Sequence, residues 1–102
     1  MGNMYFADKY AHRIRLCNMA SQFCMIIISP ENGVKGKPMG IAVHPEIGRL
    51  FWGNTNSGDP GSIYSNAMDG SGSTRVANTG VDYPDSIAID YENSRLCWTE
   101  KD

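Results

Sequence analysis

The side chains able to do chemistry are few and scattered. His12 and His44 are the two histidines, and turn residues and strand-like runs separate them. A serine or cysteine nucleophile needs its base within hydrogen-bond reach, and no such pairing is visible. Cys17, Cys24 and Cys97 are odd in number and lack paired C-x-x-C spacing, which disfavours zinc. Asp82, Asp85 and Asp90 are close in sequence but miss the alternating ligands of a calcium loop, and they read as turn charges. Gly70-Ser71-Gly72-Ser73 lacks the Gly-Lys and helix start of a phosphate-cradling loop and reads as a hairpin turn. The expectation is a chain that is not an enzyme and holds no cofactor and no metal.

Two further features need the elements around them. Cys17 and Cys24 fall in successive strand-like segments separated by Ala20-Ser21. A cross-strand bridge, with Cβ atoms within about 4.5 Å, and a pair of small buried apolar side chains are both open. Lys35 and Lys37 alternate with Gly36, offering two cations to an acidic ligand or simply a soluble link.

Charge sets outer bounds. Nine Lys and Arg oppose eleven Asp and Glu among 102 residues, for a net charge of −2. Nucleic acid is not an expected partner, because phosphate binding needs a clustered basic face. Phe23 to Ile28, the most apolar run, is far shorter than the roughly 20 residues that span a bilayer, and it reads as a buried strand. Met1-Gly2 is not a myristoylation start, since Phe6 stands where Ser or Thr is wanted. The chain opens directly on a strand-like segment, as a piece of a longer polypeptide would.

What positions these residues is a repeat. Met4-Tyr5-Phe6-Ala7-Asp8, Leu50-Phe51-Trp52-Gly53-Asn54 and Leu96-Cys97-Trp98-Thr99-Glu100 superimpose at shifts of 46 residues, and Pro38–His44 returns at the same shift as Pro84–Asp90. Self-similarity at a period of about 20 to 50 residues marks stacked units that cannot each close a core alone. Within one period the sequence predicts four strands: Met39 to His44, Arg49 to Asn54, Ser62 to Met68 and Thr74 to Asn78. Pro45-Glu46-Ile47-Gly48, Gly58-Asp59-Pro60-Gly61 and Asp69-Gly70-Ser71-Gly72 are the expected turns. Met39, Ile41 and Val43 alternate with Gly40 and Ala42, as Ile87 and Ile89 do with Ser86 and Ala88. One face is bulky and the other small, which lets another backbone approach, while Leu50 and Trp52 against Phe51 make the next strand apolar on both faces.

Four-stranded repeats buried on both faces describe β-propeller blades. The expected fold is all-β, with about nine short antiparallel strands and blades incomplete at both ends. Residues 1–28 would supply the last three strands of one blade, 38–78 a complete blade, and 84–102 the first two strands of a third. The loops expected on one common face carry Lys9, Tyr10, Lys35, Lys37, Asn56, Asp59 and Tyr83. Tyr10 and Tyr83 are the amphipathic anchors that interfaces favour, unless they pack between blades.

Pro-x-Gly-Ile-Ala-Val-His, Gly-Arg-Leu-Phe-Trp-Gly-Asn, Ile-Tyr-Ser-Asn-Ala-Met-Asp-Gly-Ser and Arg-Leu-Cys-Trp-Thr-Glu together resemble the low-density lipoprotein receptor class B repeat, also called YWTD. The resemblance covers nearly the whole chain. It implies a partial six-bladed propeller from the extracellular part of a lipoprotein-receptor-related protein, an endocytic or signalling receptor at the cell surface or in the endosome. Implied partners are secreted protein ligands or lipoproteins, adjacent blades and EGF-like modules, with the membrane reached only through a span outside these residues. The repeat signature appears in altered form as Tyr5-Phe6-Ala7-Asp8, Phe51-Trp52-Gly53-Asn54 and Cys97-Trp98-Thr99-Glu100, and by resemblance these residues are structural. Packing is accordingly the role expected of Cys97, and His44 replaces the acid that Asp90 keeps.

The resemblance to recycling receptors also suggests that His12, which unperturbed would titrate near 6.5, helps release ligand in the endosome. Two alternatives stand beside the receptor. A lactonase-type hydrolase would need Asn54, Asn78 and Asp90 to converge. A truncated product without activity of its own would leave apolar faces around Phe6, Trp52 and Trp98 without neighbours.

Overall fold

Pleated strands with one bulky and one small face stack only if the small face meets the next backbone, and that arrangement organises the molecule. The structure, a computed structural model, describes residues 2–29, 36–56, 59–77, 81 and 83–100. Strands β1 (Asn3–Asp8), β2 (Arg13–Asn18) and β3 (Cys24–Ile28) form a first sheet in that order. Strands β4 (Lys37–His44), β5 (Arg49–Asn56), β6 (Asp59–Ala67) and β7 (Thr74–Ala77) form a second, and β8 (Pro84–Asp90) with β9 (Arg95–Glu100) a third. Every pairing is antiparallel. Among the described residues the one helical element is a single 3₁₀ turn, Pro45–Ile47, closed by Gly48 at φ 66°.

The sheets lie face to face with two cores between them. Ile14, Ile27 and Ile28 of the first sheet meet Leu50 and Trp52 of the second, with Ile41 and Val43 packed alongside. On the other side of the second sheet Ile63 meets Val81 and Ile87, with Ala42, Leu96 and Trp98 against them. The bulky face of β4 thus looks to the first sheet and its small face to the third. A Cβ added to Gly40 would sit 2.7 Å from the Asp85 carbonyl oxygen and 2.7 Å from the Ser86 Cα, and one added to Gly53 would sit 2.8 Å from Pro84. Glycine is required at both positions because backbone and proline fill the space a methyl would take.

Several expectations are corrected. Trp52 is fully buried, because the first sheet covers the face that was expected to lack a neighbour; Phe6 remains 43% exposed and Trp98 is half-buried. In the apolar run, Ile27 and Ile28 are buried while Phe23, Met25 and Ile26 are exposed, since β3 is the outer strand of its sheet and contacts the second sheet at one end. Cys97 is exposed on the outward face of β9 instead of packed. The turn expected at Gly58 to Gly61 is shorter: a register shift between Asn54 and Asn56 realigns the strands, so pairing continues to Asn56 and Asp59. Of the two readings open for Cys17 and Cys24, the structure shows the bridge: they face each other across β2 and β3 and are joined by a disulfide.

Candidate functional site

Antiparallel register collects the predicted loop residues at one rim. Asp8 pairs with Arg13, Lys37 with Thr55, Asn56 with Asp59, and Pro84 with Glu100. Two contacts bring these ends together from different sheets: His12 Nδ1 lies 2.7 Å from the Gly36 carbonyl oxygen, and Pro84 packs on Gly53. His44, Asp90 and Arg95 occupy the opposite rim.

At the first turn of the rim Asp8 Oδ1 accepts the Ala11 N–H at 3.1 Å. That bond holds the chain so that Tyr10 projects into solvent, 81% exposed, with Lys9 Nζ 5.3 Å from its ring centroid. Tyr10 is therefore not packed between blades. His12, at φ 58°, must donate from Nδ1, because its partner is a carbonyl oxygen. Lys37 is exposed at the start of β4, and Tyr83 is half-buried, its N–H donating to Glu100 Oε1 at 2.6 Å. Asn56 and Asp59 terminate β5 and β6. Lys35, also expected at this rim, lies outside the described residues.

The repeat-signature residues do several different jobs. Trp52 Nε1 donates to Asn66 Oδ1 at 2.8 Å, and the indole stacks on Tyr64 with centroids 4.9 Å apart. Trp98 Nε1 donates to Glu100 Oε2 at 2.7 Å. Tyr5 Oη donates to the Met68 carbonyl at 2.9 Å, tying the first sheet to the β6–β7 turn; burial, assisted by the negative charge of Asp69, raises its pKa. Asn54 is buried with Oδ1 unpartnered among the described residues. Phe51 lines an apolar groove of about 410 Å³ with His44, Val76, Leu96 and Trp98, and Thr99 is exposed.

The acids carry no joint site. Asp85 and Asp90 stand near opposite ends of β8, while Asp82 lies outside the described residues. Hydrogen bonding from Asn93, with Arg95 also in contact, holds the Asp90 carboxyl below its ordinary value. Asn54 and Asp90 point toward different rims, and Asn78 is outside the described residues, so the hydrolase constellation is not assembled here. Among the described residues no group of three His, Cys, Asp or Glu side chains is placed to hold a metal ion. Two linkages escaped the sequence analysis. Asn66 lies within a motif quoted above, yet nothing in its local pattern shows that it meets Trp52; the Tyr91 hydroxyl donates to the Val43 carbonyl at 2.8 Å, with its ring edge-on to His44.

Face-to-face antiparallel sheets related by the 46-residue repeat define the chain as part of a β-propeller. Its repeat and its fold are similar to those of the low-density lipoprotein receptor class B (YWTD) propellers. Over 98 residues, 96% of its length, it is 33% identical to the vitellogenin receptor of Solenopsis invicta and 29% identical to vitellogenin receptor Yl of Drosophila melanogaster. It is 26% identical over the same length to protein cueball of Drosophila yakuba. The chain spans 5% of each receptor and 15% of cueball. A chain in the crystal structure of a nidogen/laminin complex shares the fold with a TM-score of 0.83 at 24% identity, over 96% of this chain and 36% of that one. No family model matches.

Proposed function

We propose that this chain contributes part of the ligand-binding propeller of an extracellular receptor related to the lipoprotein receptors, taking up secreted protein ligands or lipoproteins at the rim formed by the β1–β2 turn, the starts of β4 and β8, and the β5–β6 connection. The observation that carries the proposal is Tyr10. A ring 81% exposed beside a lysine ammonium is an amphipathic anchor held out from a rigid sheet. Lys9, Lys35 and Lys37 supply the cations for acidic ligand groups, Tyr83 adds a second aromatic, and Asn56 and Asp59, at the ends of β5 and β6, are the further contact positions. The names of the two receptor relatives point the same way. In this reading the chain does no catalysis, and its nearest partners are neighbouring blades and EGF-like modules of a longer polypeptide.

The test is surface plasmon resonance of the chain against purified vitellogenin and low-density lipoprotein, with Tyr10→Ala and Lys9→Ala/Lys37→Ala variants. Losing a hot-spot anchor costs at least about 2 kcal/mol, or roughly thirtyfold in affinity. Failure of the unsubstituted chain to bind either particle, or equal binding by all variants, overturns the proposal.

A further inference from the structure

His12 ties the rim together across two sheets. It stands between β1 and β2 at φ 58°, in the left-handed region that a residue with a Cβ enters at a cost and glycine does not. The position 46 residues on, one repeat later, is Gly58, so this copy carries histidine where the next supplies glycine. Residues other than glycine persist in such a conformation when surrounding contacts hold them there, and they gather at functional sites. Here the contact is specific: Nδ1–H donates to the Gly36 carbonyl oxygen at 2.7 Å, 24 residues away in sequence. Gly36 is buried and directly precedes Lys37, the exposed first residue of β4. Tyr10 lies two residues before His12. The bond from the Ala11 N–H to Asp8 shapes this turn from within. Among the described residues the histidine makes the one hydrogen bond from the turn to the leading end of the second sheet.

We propose that His12 is a positioning residue: its hydrogen bond sets the separation between Tyr10 and Lys37, so that the rim selects ligand segments presenting an acidic group at a fixed distance from an apolar side chain. The inference rests on the reading of this rim as the ligand face. Tyr10 belongs to the first sheet and Lys37 to the second. If the turn and the start of β4 were free to shift against each other, a ligand touching both would have to order them on binding. A separation fixed beforehand removes that cost and lets the first contact bring the second within reach. The donor is a nitrogen bonded to Cγ, and asparagine carries its Nδ2 at the same number of bonds from the backbone. Asparagine is also among the residues that tolerate the left-handed region, so it can replace both the bond and the conformation. Glycine keeps the conformation without cost and has no donor. The pair therefore separates the hydrogen bond from the backbone.

The test compares the parent chain with His12→Asn and His12→Gly by two readouts. The first needs no ligand: nitroxides are attached at Tyr10→Cys and Lys37→Cys, with Cys97→Ser to remove the free thiol, and their separation is measured by pulsed electron paramagnetic resonance. The distance distribution should be narrow in the parent and in His12→Asn and broader in His12→Gly. The second is surface plasmon resonance against purified vitellogenin, with Tyr10→Ala, Lys37→Ala and the pair introduced into each form. In the parent and His12→Asn the pair should lose roughly fivefold less affinity than the product of the single losses, whereas in His12→Gly the losses should simply multiply. Equal widths in all three forms, a broad distribution in His12→Asn, or the same interplay in His12→Gly as in the parent overturns the proposal. Widths as expected without vitellogenin binding by any form uphold the spacing role of His12 and refute the rim as a vitellogenin-binding face.

Discussion

Trp52 and Asn66, 14 residues apart, are joined by a hydrogen bond of 2.8 Å in a fully buried site, and the same amide passes on to the Gly70 carbonyl at 2.8 Å. The asparagine satisfies a buried indole donor and a turn acceptor at once. Asn66→Ala leaves both without partners, and each buried orphan costs about 1–3 kcal/mol. We expect a loss of about 2–4 kcal/mol in urea unfolding followed by tryptophan fluorescence. A change below about 0.5 kcal/mol, the range of neutral surface substitutions, would show that the linkage is not needed.

Gly70 is set apart from the other turn glycines. It sits at φ 94°, and an added Cβ would run into the carbonyl of Ile27 in the first sheet; Gly48 and Gly72, both at φ 66°, have nothing within 4 Å. Gly48→Ala and Gly72→Ala carry the left-handed backbone penalty alone, about 1 kcal/mol each. Gly70→Ala adds displacement of Ile27 from the core, so its thermal midpoint falls furthest. Equal shifts for all three variants would contradict the close approach.

The Cys17–Cys24 bridge closes a loop with a sequence separation of seven residues. Loop-closure entropy for a ring of that size gives about 2.5 kcal/mol. Cys17→Ala/Cys24→Ala should lower the unfolding free energy by that amount in non-reducing buffer, and added reductant should then have no further effect. Exposed Cys97 should be alkylated by iodoacetamide in the folded chain without denaturant.

Tyr5 couples stability to alkaline pH. Its folded-state pKa is raised above 10.0 by burial and by Asp69, so its contribution is complete below that value and is lost as pH climbs through the folded pKa. The urea midpoint should decline above pH 10 less steeply in Tyr5→Phe than in the parent. Asp69 and Asp90 act at the other end of the scale. Hydrogen bonds from Ser71 and Asn93 lower their pKa values, so their contributions are present above the ordinary carboxylate pKa and disappear as pH falls through the folded values. Asp90→Asn should flatten the acid limb of the profile, and an unchanged limb would refute its role.

Local pattern carried much of the fold. Alternation in Met39–His44 and its return at Ser86–Asp90 announced strands with one small face, because pleat geometry sends successive side chains to opposite sides whatever lies beyond. The turn at Asp69-Gly70 was legible because few residues adopt positive φ. Strand ends were less so: the pairing of Asn56 with Asp59 depends on a register shift that cross-strand contacts impose, and nothing within either strand encodes it. Tyr10 was named from chemistry alone, yet its projection follows from Asp8 gripping the Ala11 N–H.

By itself the sequence determined the repeat, the strands, the hairpin turn at Asp69-Gly70 and the two-faced character of β4, since all of these follow from short-range sterics and periodicity. Only the tertiary structure decided which apolar faces are covered. It buried Trp52 beneath Ile14, Ile27 and Ile28, left Phe6 and Cys97 in solvent, paired Cys17 with Cys24 and joined Asn66 to Trp52. Burial is a property of neighbours brought from distant positions, so a side chain's type sets what it gains on being covered, while the stacking of sheets sets whether it is covered at all.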